Sequence, residues 1–150
     1  MVDLRPIDDT NREAVLALRV SPDQLDFVSS VEDSQREAAQ EPDGRAIQWA
    51  LYDDEAPVGF VMISDEVGGP GYIAHYLWKL LIDERHQRRG YGTAALDLVA
   101  EYFRVLPGVE VIWTSAGQGE GSPIPFYERY GFERTGEIVF DDEVLLRLLL

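Results

Sequence analysis

The stretch HQRRGYGTAAL, residues 86–96, sets Gly90 and Gly92 one residue apart, directly after Arg88 and Arg89. Glycine lets backbone N–H groups approach a bulky anion with no Cβ in the way. A helix that begins here presents first-turn amides with no intrahelical partner, and its dipole adds partial positive charge at the same place. Arginines beside the turn pair well with phosphate oxygens. Gln87 to Thr93 therefore reads as a cradle for a pyrophosphate. A P-loop needs Lys-Ser/Thr after its last glycine, and Thr93-Ala94 does not supply it. Gly90-x-Gly92-x-x-Ala95 matches a dinucleotide fingerprint in letters. That fingerprint starts at the strand end, whereas the seven residues Asp83 to Arg89 separate Gly90 from Ile82. It also wants an acidic residue at the end of the next strand, and Glu110 stands at its start. A glycine-rich helix entry with no ligand is the plain structural alternative.

The elements that must position this turn can be read from periodicity. Val2 to Ile7 reads as a strand. Asn11 to Val20 reads as a helix, apolar at Val15, Leu16 and Leu18. Pro22 to Glu41 is polar and helix-leaning, with Phe27 and Val28 as its apolar points. Ala46–Tyr52 and Val58–Ser64 flank DDEAP and make a hairpin. DEVGGPG is a loop. Ile73–Ile82 is a long strand, Gly90–Val105 a helix with Ala95, Leu98, Val99 and Tyr102 on one stripe, and Val109–Ser115 the next strand. These three make one βαβ crossover. AGQGEGSP is a loop, and Pro123–Tyr130 is a short helix stopped by Gly131. Two strands around a DDE turn end the chain. The order predicts one α/β domain over 1–150 with a mixed sheet. The tail VLLRLLL reads either as an inner strand or as the contact of a homodimer.

The totals limit what such a domain can do. The chain of 150 residues carries 45 % hydrophobic and 27 % charged residues, which suits one soluble domain. No apolar run is long enough to span a bilayer, and the start lacks the order of a signal peptide. A cytoplasmic protein is the default. Cysteine is absent, which excludes disulfides, thiolate zinc sites and a cysteine nucleophile. No metal is implied. A net charge of −15 repels nucleic acid and anionic membranes and attracts cations. The simple reading of that acidity is solubility. Against it, Arg85, Arg88 and Arg89 form a small basic spot that suggests one local anion.

LLIDERHQRRGYGTAALDLV resembles the acetyl-CoA motif of the GNAT N-acetyltransferases, Gln/Arg-x-x-Gly-x-Gly/Ala, with Gln87, Gly90 and Gly92 in its fixed places. PFYERYGFERTGE is similar to the family's C-terminal motif, aromatic-Tyr-Glu-x-x-Gly-Phe. The resemblance covers essentially the whole chain. It implies the GNAT fold, a mixed sheet of about six to seven strands flanked by about four helices. It implies that backbone amides from Arg88 through Arg89, Gly90, Tyr91 and Gly92 to Thr93 hold the pyrophosphate of acetyl-CoA. Leu81 and Ile82 would pair with the pantetheine arm, in a V where the fourth strand and Val109–Ser115 splay apart. Tyr127 would stand near the sulfur as general acid, with Tyr130 as a core residue. The family often has an asparagine shortly before that tyrosine. GQGEGSPIP has none, and backbone groups or Ser122 are the substitutes at hand.

Acetyl transfer to an amine needs an unprotonated nucleophile, and a free alkylamine titrates at about 10.4. The leaving thiol titrates at about 8.5, and a tyrosine hydroxyl can donate to its thiolate. The proton acceptor is open. His75 has a suitable ordinary pKa but lies toward its strand's start, His86 reads as a surface or phosphate neighbour, and a water chain could end on Glu41, Glu66 or Asp83. SPDQLDFVSSVEDSQREA, with Gln24, Phe27 and Val28, is similar to the spermine/spermidine acetyltransferase-like branch. So is WKLLIDERHQRRGYG, although Lys79 replaces that branch's arginine. A polyamine or diamine acceptor follows, with Asp23, Asp26, Glu32 and Asp33 as partners for distal ammoniums or simply a solvated helix face. The alternatives are another amine (aminoglycoside, amino acid, protein N-terminus) and a module that binds a CoA ester without transferring it.

Overall fold

The computed structural model describes residues 1–64 and 73–150. The loop read at DEVGGPG, with Glu66, lies outside the described residues. Strand β1 (Val2–Pro6) leads into helix α1 (Arg12–Leu16), which is shorter than the expected Asn11–Val20. Tertiary bonds end it. The Arg19 amide donates to the Asp83 carboxylate at 2.9 Å, and the Arg19 carbonyl accepts from the Glu84 amide at 2.6 Å. Val15, Leu18 and Val20 are nonetheless all buried.

The polar stretch after Pro22 is two pieces. A single 3₁₀ turn covers Pro22–Gln24, and α2 runs Val31–Gln40. Ser30 divides them: its backbone is extended and its hydroxyl accepts from the Asp33 amide at 3.0 Å, an N-cap. The hairpin is present as β2 (Ala46–Asp53) and β3 (Ala56–Ser64). Strand β4 (Tyr76–Ile82) starts three residues later than expected, because His75 turns with φ of 50°. Helix α3 (Tyr91–Arg104) crosses over to β5 (Val111–Gly117), followed by α4 (Ile124–Tyr130), β6 (Glu133–Val139) and β7 (Glu143–Leu149).

The sheet order is β1-β2-β3-β4-β5-β7-β6, with β4 and β5 parallel and every other neighbour antiparallel. The apolar tail is thus an inner strand. Helices α3 and α4 cover one face, burying Leu77, Leu96, Val99, Phe103, Ile112 and Leu146. On the other face Val15, Leu18, Val31, Phe60, Met62 and Trp78 form a second core. Among the described residues no helix is long and apolar enough to cross a membrane.

One irregularity opens the sheet. Between Met62↔Lys79 and Ile63↔Leu77 the β3–β4 register skips Trp78, so β4 carries a bulge. A bulge bends its strand and breaks the local ladder. Past it, β4 parts from β5: the two pair only at Tyr76↔Trp113. The sheet is split open in its middle, and the start of α3 and helix α4 stand beside the split.

Candidate active site

Two clefts meet at the split. The first, of about 740 Å³, lies against the start of α3 and the end of β4. The second, of about 460 Å³, lies between α2, β4, β5 and the β6–β7 turn. Both are lined by Val28, Leu80, Pro123 and Tyr127, so these residues stand where the two spaces join.

The first cleft gathers most of the glycine turn. Gln87, Arg88, Gly90, Tyr91, Gly92 and Thr93 line it, as do Leu80 and Ile82. Arg89 is not on its wall, and the side chain of Leu81 is buried in the core, only 1 % exposed. Gly90 caps α3 with φ of 81°, a conformation that favours glycine. The helix's first backbone bond runs from the Ala94 amide to the Gly90 carbonyl at 3.0 Å, so the helical amides before it have no acceptor among the described residues. A Cβ on Gly92 would stand 2.9 Å from Cζ of Phe126, so this glycine makes room for α4. The Gln87 amide is tied internally, donating to Gln24 at 2.8 Å and to the Ile82 carbonyl at 2.9 Å. The Tyr91 hydroxyl donates to Asp53 at 2.5 Å. Arg85 is held by Asp83 at 2.8 Å and lies off this wall, where Arg88 before α3 and Arg129 of α4 are the arginines.

Tyr127 is the buried member of the tyrosine pair, 6 % exposed. Burial pushes its hydroxyl up to about 12, with the neighbouring Thr114 hydroxyl acting in the opposite sense. Its ring packs edge-on against Phe132 with centroids 5.4 Å apart. Tyr130, expected in the core, is instead half-buried and donates to Asp97 at 2.6 Å. Ser122 is consumed locally: it donates to the Gly117 carbonyl and accepts from the Ile124 amide at 3.2 Å, shaping the entry to α4.

The second cleft is acidic. Asp26, Asp33, Asp142 and Glu143 line it, with Lys79 as its cation. Lys79 is claimed by Glu37 at 2.8 Å and by Ser29 at 3.0 Å. Burial opposes ionisation of Glu37, but hydrogen bonds from Lys79 and from the Trp78 indole hold it below its ordinary value. Asp33 is paired with Arg36 at 2.7 Å. Among the described residues Asp26, Asp142 and Glu143 form no salt bridge, although the charge of Lys79 also favours ionised Glu143. Glu32 pairs with the same arginine at 3.4 Å and lines neither cleft, whereas Asp23 lines the first cleft and not this one.

The other titratable residues singled out in the sequence stand elsewhere. His75 and His86 line neither cleft, and the Nδ1 of each is buried with no partner among the described residues. The His75 ring packs against Phe103 at 5.9 Å. Asp83 is buried and accepts from Arg19 and Arg85, a staple between α1 and β4. Glu41 is exposed at the end of α2. Sequence reasoning did not find Glu143: it reads as one letter of a hairpin turn, and nothing local says that β7 inserts beside β5.

The acetyltransferase (GNAT) family profile matches residues 4–132. The chain is 29 % identical to the spermine/spermidine N(1)-acetyltransferase of Bacillus subtilis (strain 168), over 97 % of this chain and 96 % of that protein. Its fold matches an aminoglycoside acetyltransferase solved with coenzyme A, with TM-score 0.78 at 16 % identity, covering 99 % of this chain and 95 % of that one. It also matches a spermidine N-acetyltransferase of Vibrio cholerae solved with CoA and spermine, with TM-score 0.68 at 16 % identity, covering 99 % and 95 %. A family profile spanning most of the sequence, a seven-stranded sheet split at β4 and β5, and a glycine-capped helix at the split all agree: the chain belongs to the GNAT family of acetyltransferases.

Proposed function

We propose that the protein moves the acetyl group of acetyl-CoA directly to a primary amine of a small polycation, a polyamine or diamine, as a cytoplasmic enzyme. The observation that carries this reading is the junction of two unlike clefts at Tyr127: one beside the opening amides of α3 and Arg88, the other with three carboxylates that form no salt bridge among the described residues. The first suits the diphosphate of acetyl-CoA, since the opening amides of α3 and a guanidinium supply donors to an anion. The unpaired edge of β4 from Leu80 to Ile82 suits the pantetheine amides, as one more strand would. The second cleft suits ammonium groups, because among the described residues Asp26, Asp142 and Glu143 form no salt bridge. The relative in Bacillus subtilis, named for spermine and spermidine, supports the same acceptor class.

In this reading Tyr127 donates to the sulfur as the carbon–sulfur bond breaks. Its raised pKa keeps the phenol protonated throughout the neutral range. The low-dielectric surroundings that raise it also strengthen its hydrogen bond to a forming thiolate. Proton transfer of this kind contributes about 10²–10⁴-fold in rate. Glu37 positions the acceptor wall by holding Trp78 and Lys79 on β4 against α2.

Incubation with acetyl-CoA and a panel of spermine, spermidine, diamines, an aminoglycoside, amino acids and peptides, followed by free thiol, tests this. Thiol release that is strongest with polyamines or diamines is expected. Release confined to peptides or to the aminoglycoside would overturn the acceptor class, and release with none would overturn the reaction.

A further inference from the structure

Glu143 begins β7 directly opposite Gly117, two residues along β5 from Ser115. The Ser115 hydroxyl donates to Glu143 Oε1 at 2.9 Å. That hydroxyl has one proton, so in its contact with Tyr76 the Tyr76 hydroxyl is the donor. A directed chain thus runs from Tyr76 through Ser115 to Glu143 and fixes one carboxylate oxygen. No described residue donates to the other, Oε2. Glu143, Ser115 and Tyr127 line the same cleft. Burial raises the Glu143 pKa; the Ser115 bond and the Lys79 charge lower it, and Asp142 and Glu37 add to the rise. These groups, with Tyr76 of β4, are the polar surroundings of Glu143 from its own turn, from β4 and β5, and from α2.

We propose that Glu143 is the proton acceptor of the transfer, held by Ser115 and Tyr76, and this rests on the function proposed above. The bound ammonium gives its first proton to Glu143. The freed lone pair forms a bond to the acetyl carbonyl carbon. The carbon–sulfur bond breaks, its electron pair goes to sulfur, and sulfur takes the proton of Tyr127. The nitrogen gives up a second proton as the amide forms. Both nitrogen protons leave through Glu143 to water, and one returns from water to Tyr127. One proton is released overall.

The test compares the parent protein with Glu143→Gln and Ser115→Ala, using acetyl-CoA and spermine, across pH. Glutamine keeps the shape and an acceptor for Ser115 but cannot take a proton. In Glu143→Gln, kcat/KM near neutral pH should fall about 10²–10⁴-fold. The acid limb of its pH profile should flatten, and the Kd for coenzyme A should be unchanged. Ser115→Ala removes the bond that lowers the Glu143 pKa, so its acid limb should move to higher pH. A Glu143→Gln variant with the parent's kcat/KM and pH profile would overturn the proposal while leaving the proposed function standing. If that variant does not fold, the Ser115→Ala profile decides, and an unmoved acid limb overturns it. A parent that releases no thiol with any amine overturns both.

Discussion

The hydroxyl of Thr114 donates to the carbonyl of Leu77 at 2.9 Å, at the point where β4 and β5 cease to pair. Both residues are buried. A strand that leaves its neighbour strands polar backbone groups, and a buried carbonyl without a donor is costly. Thr114 stands in for the missing ladder bond and lets the sheet open without that loss. Thr114→Val keeps the shape and removes the donor. It should lower stability by about 1–3 kcal/mol, read from denaturant midpoints. A variant as stable as the parent would mean that the opening does not depend on this bond.

Tyr127→Phe separates chemistry from packing. The ring contacts with Phe126 and Phe132 survive the change, and only the hydroxyl is lost. A fall in kcat of about 10²–10⁴-fold is expected, with the Kd for coenzyme A unchanged by calorimetry. Thiol release equal to the parent's would remove Tyr127 from the role of acid.

The turn of residues 86–96 was legible because its letters carry their own physics: two glycines, two arginines and an amphipathic run describe a helix entry that can meet an anion. The hairpin, the α3 crossover and the α4 stop at Gly131 were legible for the same local reason. What sequence reading blurred was set by distant partners. Helix α1 ends early because Arg19 bonds to Asp83 and Glu84, residues far along the chain. The break before α2 did have a local sign, Ser30 followed three residues later by Asp33, which the polar composition around it hid. Gly92 answers to Phe126 of α4, a neighbour that only the fold supplies. Glu143 was invisible because its meaning depends on β7 lying between β5 and β6.

Gly92→Ala tests that packing. The added Cβ would lie 2.9 Å from the Phe126 ring, whose rigidity leaves α3 or α4 to move. Overpacking of this kind costs about 1–3 kcal/mol, and it displaces the amides proposed to hold the diphosphate. Weaker binding of coenzyme A is expected by calorimetry, and more so for Gly92→Val. Unchanged affinity in both would place the diphosphate elsewhere.

Alkaline pH should unfold the protein through its buried phenols. Burial raises the pKa of Tyr76 and of Tyr127, the latter to about 12, whereas unfolded tyrosine titrates at about 10. Both therefore bind their protons more tightly in the fold. The resulting stability is complete below the unfolded value and is lost as pH rises through the folded values. For Tyr127 this is on the order of 2–3 kcal/mol. Denaturant midpoints should stay level until pH reaches about 10 and drop beyond it, with a smaller drop in Tyr127→Phe. A midpoint that ignores pH across that window would contradict the burial of these hydroxyls.

Asp26 and Asp142 should matter to polycations more than to simple amines. Both are exposed, so each ion pair is worth little, about 0.2–1 kcal/mol. Asp26→Asn together with Asp142→Asn should raise the KM for spermine by about 3–10-fold, and added salt should narrow the gap. An equal rise for a monoamine would point to altered shape and not to charge.

The most direct measurement is a crystal structure with coenzyme A and spermine bound together. The diphosphate should rest on the opening amides of α3 beside Arg88, and the sulfur within hydrogen-bond reach of the Tyr127 hydroxyl. A spermine amine should sit across the junction in the cleft of Asp26, Asp142 and Glu143. A nucleotide found away from Gly90–Thr93, or a spermine outside that cleft, would contradict the account.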